Sequence, residues 1–252
     1  YYAAVSYKWG GMISAMLAAM MISVADRFIL GASGPEFARA AAYSVPLLLW
    51  GAVQYPSWVG DNVQRGANRP WIIVLLVGME QTIRIVLALL LVERFQINAL
   101  IFAYFVGIFI KNIVSYFVND RLCFKQSFYF WQSLGAPILA GAAHYLVLRL
   151  VSGWIWHGDQ ITSIIIFFIA ILPSYPLYAF FYGVFGGWDD VSLEEVKRAV
   201  KLSSFMRPLA WLFWAASDLG ARISPLHNRF PIAILAAAEI EAQSLTAERV
   251  EL

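Results

Sequence analysis

The feature of this sequence that most constrains its fold is a set of apolar runs long enough to cross a bilayer. Six such runs can be recognised, at 9–30, 38–59, 71–92, 98–118, 134–151 and 161–183. Lipid offers backbone groups no hydrogen-bonding partners, so a crossing segment must be a helix or part of a closed barrel. Barrel strands cross with about 10 residues, and these runs are roughly twice as long. The sequence therefore predicts an all-α, multi-pass membrane protein built on a six-helix transmembrane bundle.

Composition supports this class and excludes several functions. Hydrophobic residues make up 61% of the chain and charged residues 13%, whereas soluble domains have about 25% charged residues. The net charge of +2 and the dispersed basic residues argue against nucleic acid as a partner. Cys123 is the only cysteine, which predicts neither an internal disulfide nor a metal site. No nucleophile elbow, zinc motif or nucleotide loop occurs, so we expect no enzyme activity and no cofactor.

The residues after the sixth run predict a second region. We place the boundary between a bundle at 1–186 and a cytoplasmic tail at 187–252. Within the tail, Ser192–Glu195 has the spacing of a capping box, which predicts a polar helix that starts there and ends before the next proline. An apolar stripe over Pro208–Arg222 predicts a helix on the membrane surface, with a seventh crossing as the alternative. The apolar stretch Pro231–Ala238 predicts one more short helix in a loosely ordered end.

The distribution of basic residues predicts how the bundle is oriented. Six crossings put both ends of the chain on one side of the membrane. The basic residues on that side are Lys8, Arg65, Arg69, Arg121, Lys125, Lys197, Arg198, Lys201 and Arg207, and those on the other are Arg27, Arg39, Arg94 and Arg149. Lys and Arg accumulate in cytoplasmic loops. We therefore expect a protein of the cytoplasmic membrane with the termini of this chain in the cytoplasm.

Charged residues in the middle of the third run are the strongest candidates for a functional site. An ionised side chain at this depth costs about 2.5 to 3.5 kcal/mol, so such residues normally face a bundle interior or a wet cavity. Glu80 and Arg84 are four residues apart, in the order that favours an intrahelical ion pair. They could neutralise each other and do no more. Alternatively, Arg84 contributes positive potential to a substrate cavity, while Glu80 orients it or takes up a coupling proton.

Four further residues in the apolar runs allow two interpretations each. Lys111 could snorkel its ammonium to the headgroups, or it could face inward and attract a phosphate together with Arg84. Asp26 and Arg27 end the first run, where they could anchor the helix at the interface, or one of them could face inward. His144 in the fifth run could relay protons, but we favour a hydrogen bond to a neighbouring helix.

The order of short motifs along the chain resembles one family of membrane transporters. These motifs are Asp26–Gly31, Gly34–Ala41, Gln64–Pro70, Phe95–Leu100 followed by Ala103 and Tyr104, and, in the tail, Trp188–Asp190, Leu193–Glu195 and Ala199–Leu202. Together they look like the C-terminal half of a polysaccharide-type flippase of the multidrug/oligosaccharidyl-lipid/polysaccharide exporter superfamily. The resemblance covers about residues 5–207.

The resemblance implies a transporter of two six-helix lobes that rocks between inward-open and outward-open states. Its substrate would be a polyprenyl-diphosphate-linked saccharide, whose diphosphate is attracted by cations in the central cavity. The positions that we place in these roles are Arg84, Lys111 and Arg27 for substrate binding, and Glu80, Asp26 and His144 for coupling or gating. Because only one lobe is predicted here, the partner would be an N-terminal lobe, a second copy or another membrane subunit.

Two other functions stay open at this point. A multidrug or cation antiporter of the same superfamily would favour an acidic, aromatic-lined cavity, and the intramembrane Arg and Lys residues argue against it. A noncatalytic scaffold subunit would keep a transporter-like bundle and pack against other membrane proteins. A dry, sealed pair of Glu80 and Arg84 would favour the scaffold.

Overall fold

The computed structural model describes residues 1–232 and Ile240, and this part of the chain is helical and contains no strand. The helices are α1 (Tyr2–Ser33), α2 (Ala38–Val53), α3 (Tyr55–Gly66), α4 (Trp71–Phe95), α5 (Ile97–Leu122), α6 (Ala136–Ile155), α7 (Gln160–Val184), α8 (Asp190–Leu202) and α9 (Arg207–Ile223). Short helical turns at Pro35–Phe37, Trp131–Gly135 and Ser204–Met206 precede α2, α6 and α9. The helix predicted at Pro231–Ala238 lies outside the described residues, apart from its first two positions.

Five helical segments of the described chain are long and apolar enough to cross a membrane. They are Tyr2–Ser33, Trp71–Phe95, Ile97–Leu122, Trp131–Ile155 and Gln160–Val184, which contain five of the six predicted runs. Many of their large apolar side chains are exposed on the outer surface of the bundle. Exposed apolar helices of this length are expected where the solvent is lipid. The prediction of an all-α fold is therefore confirmed for the described residues, and the five apolar helices of spanning length support a membrane-embedded protein.

The second predicted run, at 38–59, is not one continuous helix. The chain turns at Gln54, so that α2 ends at Val53 and α3 begins at Tyr55. Pro56 lies in the first turn of α3 and has no amide hydrogen with which to continue the hydrogen bonds of α2. The 16 residues of α2 extend about 24 Å, less than a hydrocarbon core of about 30 Å. The prediction of one continuous membrane-spanning helix over residues 38–59 is therefore wrong.

Contacts between distant residues show which helix ends lie together. Lys8, near the start of α1, contacts Asp189, which follows α7. Gly31, near the end of α1, lies against Ser163 in the first turn of α7. We name these two ends of the bundle the Lys8 end and the Gly31 end. Helix α1 lies at its centre and packs against α2, α3, α6 and α7, and the α4–α5 hairpin joins through α2 and α3.

Helices α8 and α9, within residues 187–232, pack onto the bundle. Helix α8 begins one turn earlier than its capping box predicts, because Asp189 is the N-cap. Asp189 Oδ1 accepts a hydrogen bond from the backbone amide of Ser192 at 2.8 Å. The prediction that α8 starts at Ser192 is thus wrong, whereas its end before Pro208 is confirmed. Trp188 is fully buried between α1 and α7. Helix α9 lies along α7, where a Cβ on Gly220 would overlap the carbonyl oxygen of Phe180.

Candidate functional site

The charged residues predicted in the third and fourth runs form one buried cluster, the α4–α5 triad of Glu80, Arg84 and Lys111. Glu80 Oε1 accepts a hydrogen bond from Arg84 along α4, and Glu80 Oε2 lies 3.4 Å from Lys111 Nζ on α5. Glu80 is 4% exposed and Lys111 is 5% exposed. Lys111 therefore faces inward and does not snorkel to the headgroups. The (i, i+4) pair expected from the sequence is present, and the structure adds a second cation to it.

Aromatic rings enclose the guanidinium of Arg84. Its Cζ lies 4.4 Å from the ring centre of Tyr104 and 5.5 Å from that of Trp50, both within the range of cation–π attraction. The side chain passes over Gly107, where a Cβ would come within 2.8 Å of Arg84 Cγ. Arg84 Nε is buried and has no hydrogen-bonding partner among the described residues. The triad thus carries two cations, one anion and one unused donor.

A large cavity in the described part of the chain lies apart from the triad. Its volume is about 860 Å³, and α1, α2, α3, α5 and α6 form its walls. Its surface is almost entirely apolar, with Asn112, Ser14 and several tyrosines as the polar exceptions. The large apolar lining side chains that are also exposed on the outer surface are Leu49, Phe109, Ile113, Phe117 and Ile138. The cavity is therefore a groove that opens to lipid, and we name it the α5–α6 groove.

Helix α5 separates the α5–α6 groove from the triad. Phe109, Asn112 and Tyr116 line the groove, whereas Gly107 and Lys111 face α4. At 3.6 residues per turn these two sets lie on roughly opposite faces of the helix. Neither Arg84 nor Lys111, which we predicted to bind substrate, lines the groove. The structure brings the two cations together but does not bring them into the α5–α6 groove.

Polar groups gather where the groove reaches the Lys8 end. Tyr55 donates its hydroxyl to the carbonyl oxygen of Ser133 at 2.6 Å, and Asn112 donates to the carbonyl oxygen of Val53 at 2.9 Å. Ser133 is fully buried, lines the groove and has no partner for its Oγ among the described residues. It belongs to a single π-helical turn, Trp131–Gly135. Such turns are frequent at functional sites, and a free hydroxyl here is available to a bound molecule.

The other predicted charged residues lie near the Gly31 end. Asp26 accepts two hydrogen bonds from Arg149 of α6, at 2.6 and 2.8 Å. Arg27 donates to the carbonyl oxygen of Arg149 at 3.1 Å and also to Ser152, and it lies over the ring of Trp156. Asp26 and Arg27 therefore tie α1 to α6 and do not meet Arg84 or Lys111. The sequence offered no signal that Arg149 would be their partner.

His144 stands alone in the interior. It is fully buried, and its Nε2 lies 3.1 Å from Ser174 Oγ on α7. The hydrogen bond to a neighbouring helix that we favoured is thus confirmed. Its Nδ1 has no partner among the described residues. The ring of Tyr178 packs against its edge at 5.7 Å.

A further buried ion pair lies at the Lys8 end, and sequence reasoning missed it. Lys8 Nζ lies 3.3 Å from Asp189 Oδ2 and 2.5 Å from Ser192 Oγ, and Gln132 donates to the same carboxylate at 3.1 Å. Burial raises the pKa of Asp189, but the Lys8 charge and the hydrogen bonds from Ser192 and Gln132 outweigh it, so the pKa falls from 3.8 to about 2. We name these four residues the Lys8–Asp189 network.

Comparisons of the chain with known protein families, with curated proteins and with solved structures find no match. Among the described residues, no group of His, Cys, Asp and Glu has the arrangement of a metal site. The geometry of the groove and of the buried charges is therefore what any functional assignment for this chain must explain.

Proposed function

We propose that this chain is one lobe of a membrane transporter that moves polyprenyl-diphosphate-linked saccharides by alternating access. The observation that supports the proposal is the α5–α6 groove, which is apolar, about 860 Å³ in volume and open towards lipid. Ligand sites commonly have volumes of about 300 to 1,000 Å³. A soluble substrate would have no use for an apolar groove that opens sideways, whereas the chain of a lipid-linked substrate can enter it directly from the bilayer.

The proposal assigns different parts of the substrate to different parts of the groove. The isoprenoid chain lies against Phe109, Ile113 and Phe117, where it exchanges contacts with lipid tails for contacts with the protein. The polar head lies at the Lys8 end, where Ser133 and Asn112 line the groove and Ser133 Oγ has no partner among the described residues. A second lobe, supplied by an N-terminal half, a second copy or another subunit, completes the path for the saccharide.

The triad has a conditional role in this proposal. Arg84 and Lys111 give the region a surplus of one positive charge over Glu80, which attracts a diphosphate. Both cations are engaged with Glu80 and lie across α5 from the groove. Binding by Arg84 and Lys111 therefore requires that α5 rotate or that Glu80 release them. Arg27, tied to α6 at the Gly31 end, would act only after the substrate has crossed.

We also propose that the Lys8 end faces the cytoplasm and that α2 and α3 together complete a sixth crossing. The contact of Lys8 with Asp189 puts the start of α1 and the end of α7 at the same end of the bundle. An even number of crossings produces this arrangement. The connections at this end carry most of the basic residues near the helix ends, as cytoplasmic connections do. A cysteine-accessibility map of the connections in intact cells tests this orientation.

The groove is tested by filling it. Ala142 of α6 is exposed and lines the groove, so Ala142→Trp places a large ring inside it without crowding the core. We expect this variant to reduce crosslinking of a photoactivatable polyprenyl-diphosphate probe at least tenfold and to abolish glycolipid translocation in liposomes. Ala42 of α2 is equally exposed but does not line the groove, so Ala42→Trp is the matched control. Equal crosslinking in the two variants would contradict the proposal.

The cations are tested separately from the groove. Arg84→Ala and Lys111→Ala remove the proposed diphosphate contacts while leaving the lining of the groove intact. We expect probe binding to persist, because the isoprenoid chain is still held, and translocation to disappear. Full translocation by both variants would remove the cationic residues from the proposed site without affecting the assignment of the groove.

A second candidate function is supported by the closed state of the triad. Glu80 and Lys111 are buried, Arg84 is mostly shielded, and both cations are paired with Glu80, as a scaffold subunit with no substrate would require. In that case the exposed apolar faces of α4 and α5 would be covered by other membrane proteins. Purification of the chain in a mild detergent decides between the two. A fixed stoichiometric complex that survives Ala142→Trp and has no probe-binding activity would support the scaffold.

A further inference from the structure

Helix α9 lies parallel to the last part of α7, as a series of contacts shows. The hydroxyl of Tyr175 donates to the carbonyl oxygen of Leu209 at 3.2 Å, and its ring stacks on Phe213. Further along both helices, Ser224 donates to the carbonyl oxygen of Val184 at 2.7 Å. Along these contacts the residue numbers of α7 and α9 increase in the same direction, so the two helices are parallel. The start of α9 is therefore level with Tyr175, deep along α7, and its end is level with the end of α7.

The depth of that start can be estimated from α7 itself. The 25 residues of α7 extend about 38 Å, about 8 Å more than a hydrocarbon core of about 30 Å. Even if all this excess protrudes at the Lys8 end, Tyr175 lies about 14 Å from the last residue of α7, and thus about 6 Å inside the core. The turn between α8 and α9 precedes Leu209 and lies deeper still.

Helix α8 brings the chain down to this level. Asp190 at its start contacts His227, which follows α9, and Lys197 lies over the ring of Trp214. The two helices are therefore antiparallel, and α8 descends from the Lys8 end while α9 returns to it. Two amides of the turn are bonded: the amide of Ser203 donates to the carbonyl oxygen of Val200, and that of Met206 donates to the carbonyl oxygen of Ser203. Backbone groups that enter lipid need partners of this kind.

The turn of this hairpin exposes apolar side chains where a soluble surface would carry polar ones. Phe205 is 91% exposed and Leu202 is 83% exposed. The other exposed apolar residues nearby are Met206, Leu209, Trp211 and Leu212. We name residues 202–212 the hairpin tip. A contiguous exposed apolar patch of this kind marks a membrane or protein interaction site.

Lys201 lies next to the hairpin tip and Arg207 lies within it, and their charge indicates whether the tip contacts a membrane or a protein. Lys201 and Arg207 are exposed and have no acidic partner among the described residues. Long basic side chains beside an apolar surface extend their charged groups to the level of lipid phosphates. Each basic side chain contributes about 1 kcal/mol of binding free energy near an anionic leaflet. An apolar tip with two free cations therefore matches a leaflet that contains anionic lipids.

We propose that the α8–α9 hairpin is re-entrant: its tip lies among the acyl chains of the leaflet at the Lys8 end, and the side chains of Lys201 and Arg207 extend from there back towards the phosphates of anionic lipids. The burial of Trp188 and the packing of α9 on α7 fix the depth of the hairpin relative to the bundle. The inference does not depend on the proposed transport function, because it uses only the span of α7 and the surface of the hairpin.

Depth is tested with an environment-sensitive fluorophore on the full chain in liposomes. Cys123 is replaced by serine, and Phe205→Cys or Glu194→Cys supplies one labelling site. Both positions are exposed, so the label disturbs little packing, but Glu194 lies near the start of α8, above the proposed bilayer surface. We expect lipid-attached nitroxides to quench the label at position 205 at least fivefold more than aqueous iodide, and the reverse at 194. Equal iodide quenching at both positions would overturn the proposal.

Lipid charge is tested by two substitutions at the tip. Phosphatidylglycerol stabilises the purified chain in this proposal. The double variant Lys201→Gln/Arg207→Gln should need a roughly tenfold or higher concentration of this lipid for the same stabilisation. Lys125→Gln removes an 88% exposed cation, paired with Asp120, at the same end of the bundle, and should change nothing. Phosphatidylcholine supplies the uncharged control. The same phosphatidylglycerol dependence in all three proteins would overturn the assignment of Lys201 and Arg207.

Discussion

The Lys8–Asp189 network and the α4–α5 triad both bury charge in this protein, but they differ in how completely that charge is balanced. In the network, one cation meets one anion, and Ser192 and Gln132 supply further hydrogen bonds to the carboxylate. In the triad, two cations share one carboxylate, and Arg84 Nε stays without a partner. The first arrangement has the features of a structural joint and the second those of a site with capacity for another anion.

The difference teaches that burial alone does not distinguish a functional charge from a structural one. Removing one partner of a balanced pair leaves an uncompensated buried charge, which costs about 3 to 5 kcal/mol. Removing one cation from a cluster with a surplus cation leaves a neutral pair. The two regions should therefore respond in opposite ways to the loss of a single lysine, and four predictions test this contrast.

The largest effect is expected for Asp189→Asn. Asparagine can still cap α8, so the change isolates the lost charge and leaves Lys8 buried without an anion. We expect the free energy of unfolding in mixed detergent micelles to fall by about 3 to 5 kcal/mol. Adding Lys8→Met should recover most of this loss, because both charges are then absent. A double variant as unstable as the sum of the single variants would contradict a balanced pair.

The next largest effect is expected for Glu80→Gln. The substitution leaves Arg84 and Lys111 close together with no anion at bilayer depth. We expect a loss of about 3 kcal/mol in the same unfolding measurement, the insertion cost of an unpaired charge. Glu93→Gln, an exposed position near the end of the same helix, should change stability by less than about 0.5 kcal/mol. Similar losses in the two variants would mean that Glu80 does not balance the cluster.

A smaller effect is expected from the pH dependence of the Lys8–Asp189 network. The folded pKa of Asp189, about 2, lies below its ordinary value of 3.8. The contribution of ionised Asp189 to the free energy of unfolding is therefore complete above pH 4 and is lost as the pH falls towards 2. The total contribution lost is about 2 kcal/mol. The measurement is the difference in unfolding free energy between the wild-type protein and Asp189→Asn. This difference should shrink over that range, and a constant difference would contradict the assignment.

The smallest effect is expected for Lys111→Met. Glu80 and Arg84 remain as a neutral pair on α4, and methionine fills the volume of the lysine stem. We expect a change of less than about 1 kcal/mol, of either sign, in the unfolding measurement. Lys8→Met, by contrast, should be as harmful as Asp189→Asn. If the two lysine substitutions had equal effects, the contrast between the clusters would not hold.

Several features of the fold could be predicted because they depend on local patterns. Five runs of spanning length and the (i, i+4) pair of Glu80 and Arg84 need only composition and helical periodicity. The break at Gln54 was missed because a proline in an apolar run can either bend a helix or end it. The start of α8 was missed by one turn because Asp189 and Ser192 are both good capping residues.

The candidate site could be predicted only in part. His144 was expected to bond to another helix, but nothing in the sequence pointed to Ser174 as its partner. Lys8 was counted among the basic residues that indicate orientation but was not predicted as a site residue, since a lone lysine at the start of an apolar run usually lies at the interface. The α5–α6 groove had no sequence signal at all, because the same apolar residues would line a packed interface or face lipid.

The sequence by itself determined that this chain is a helical membrane protein, which helices are long enough to cross, and which charges are anomalous at bilayer depth. These properties follow from the free-energy cost of exposing backbone groups and charges to lipid. Each residue makes its own contribution to that cost, so the sequence is enough to estimate it. Only the tertiary structure decided that Lys111 joins Glu80, that Lys8 meets Asp189 and that α5 keeps the triad away from the groove. Partners in space depend on how helices distant in sequence pack together, and lipid-facing and buried apolar surfaces look alike in sequence.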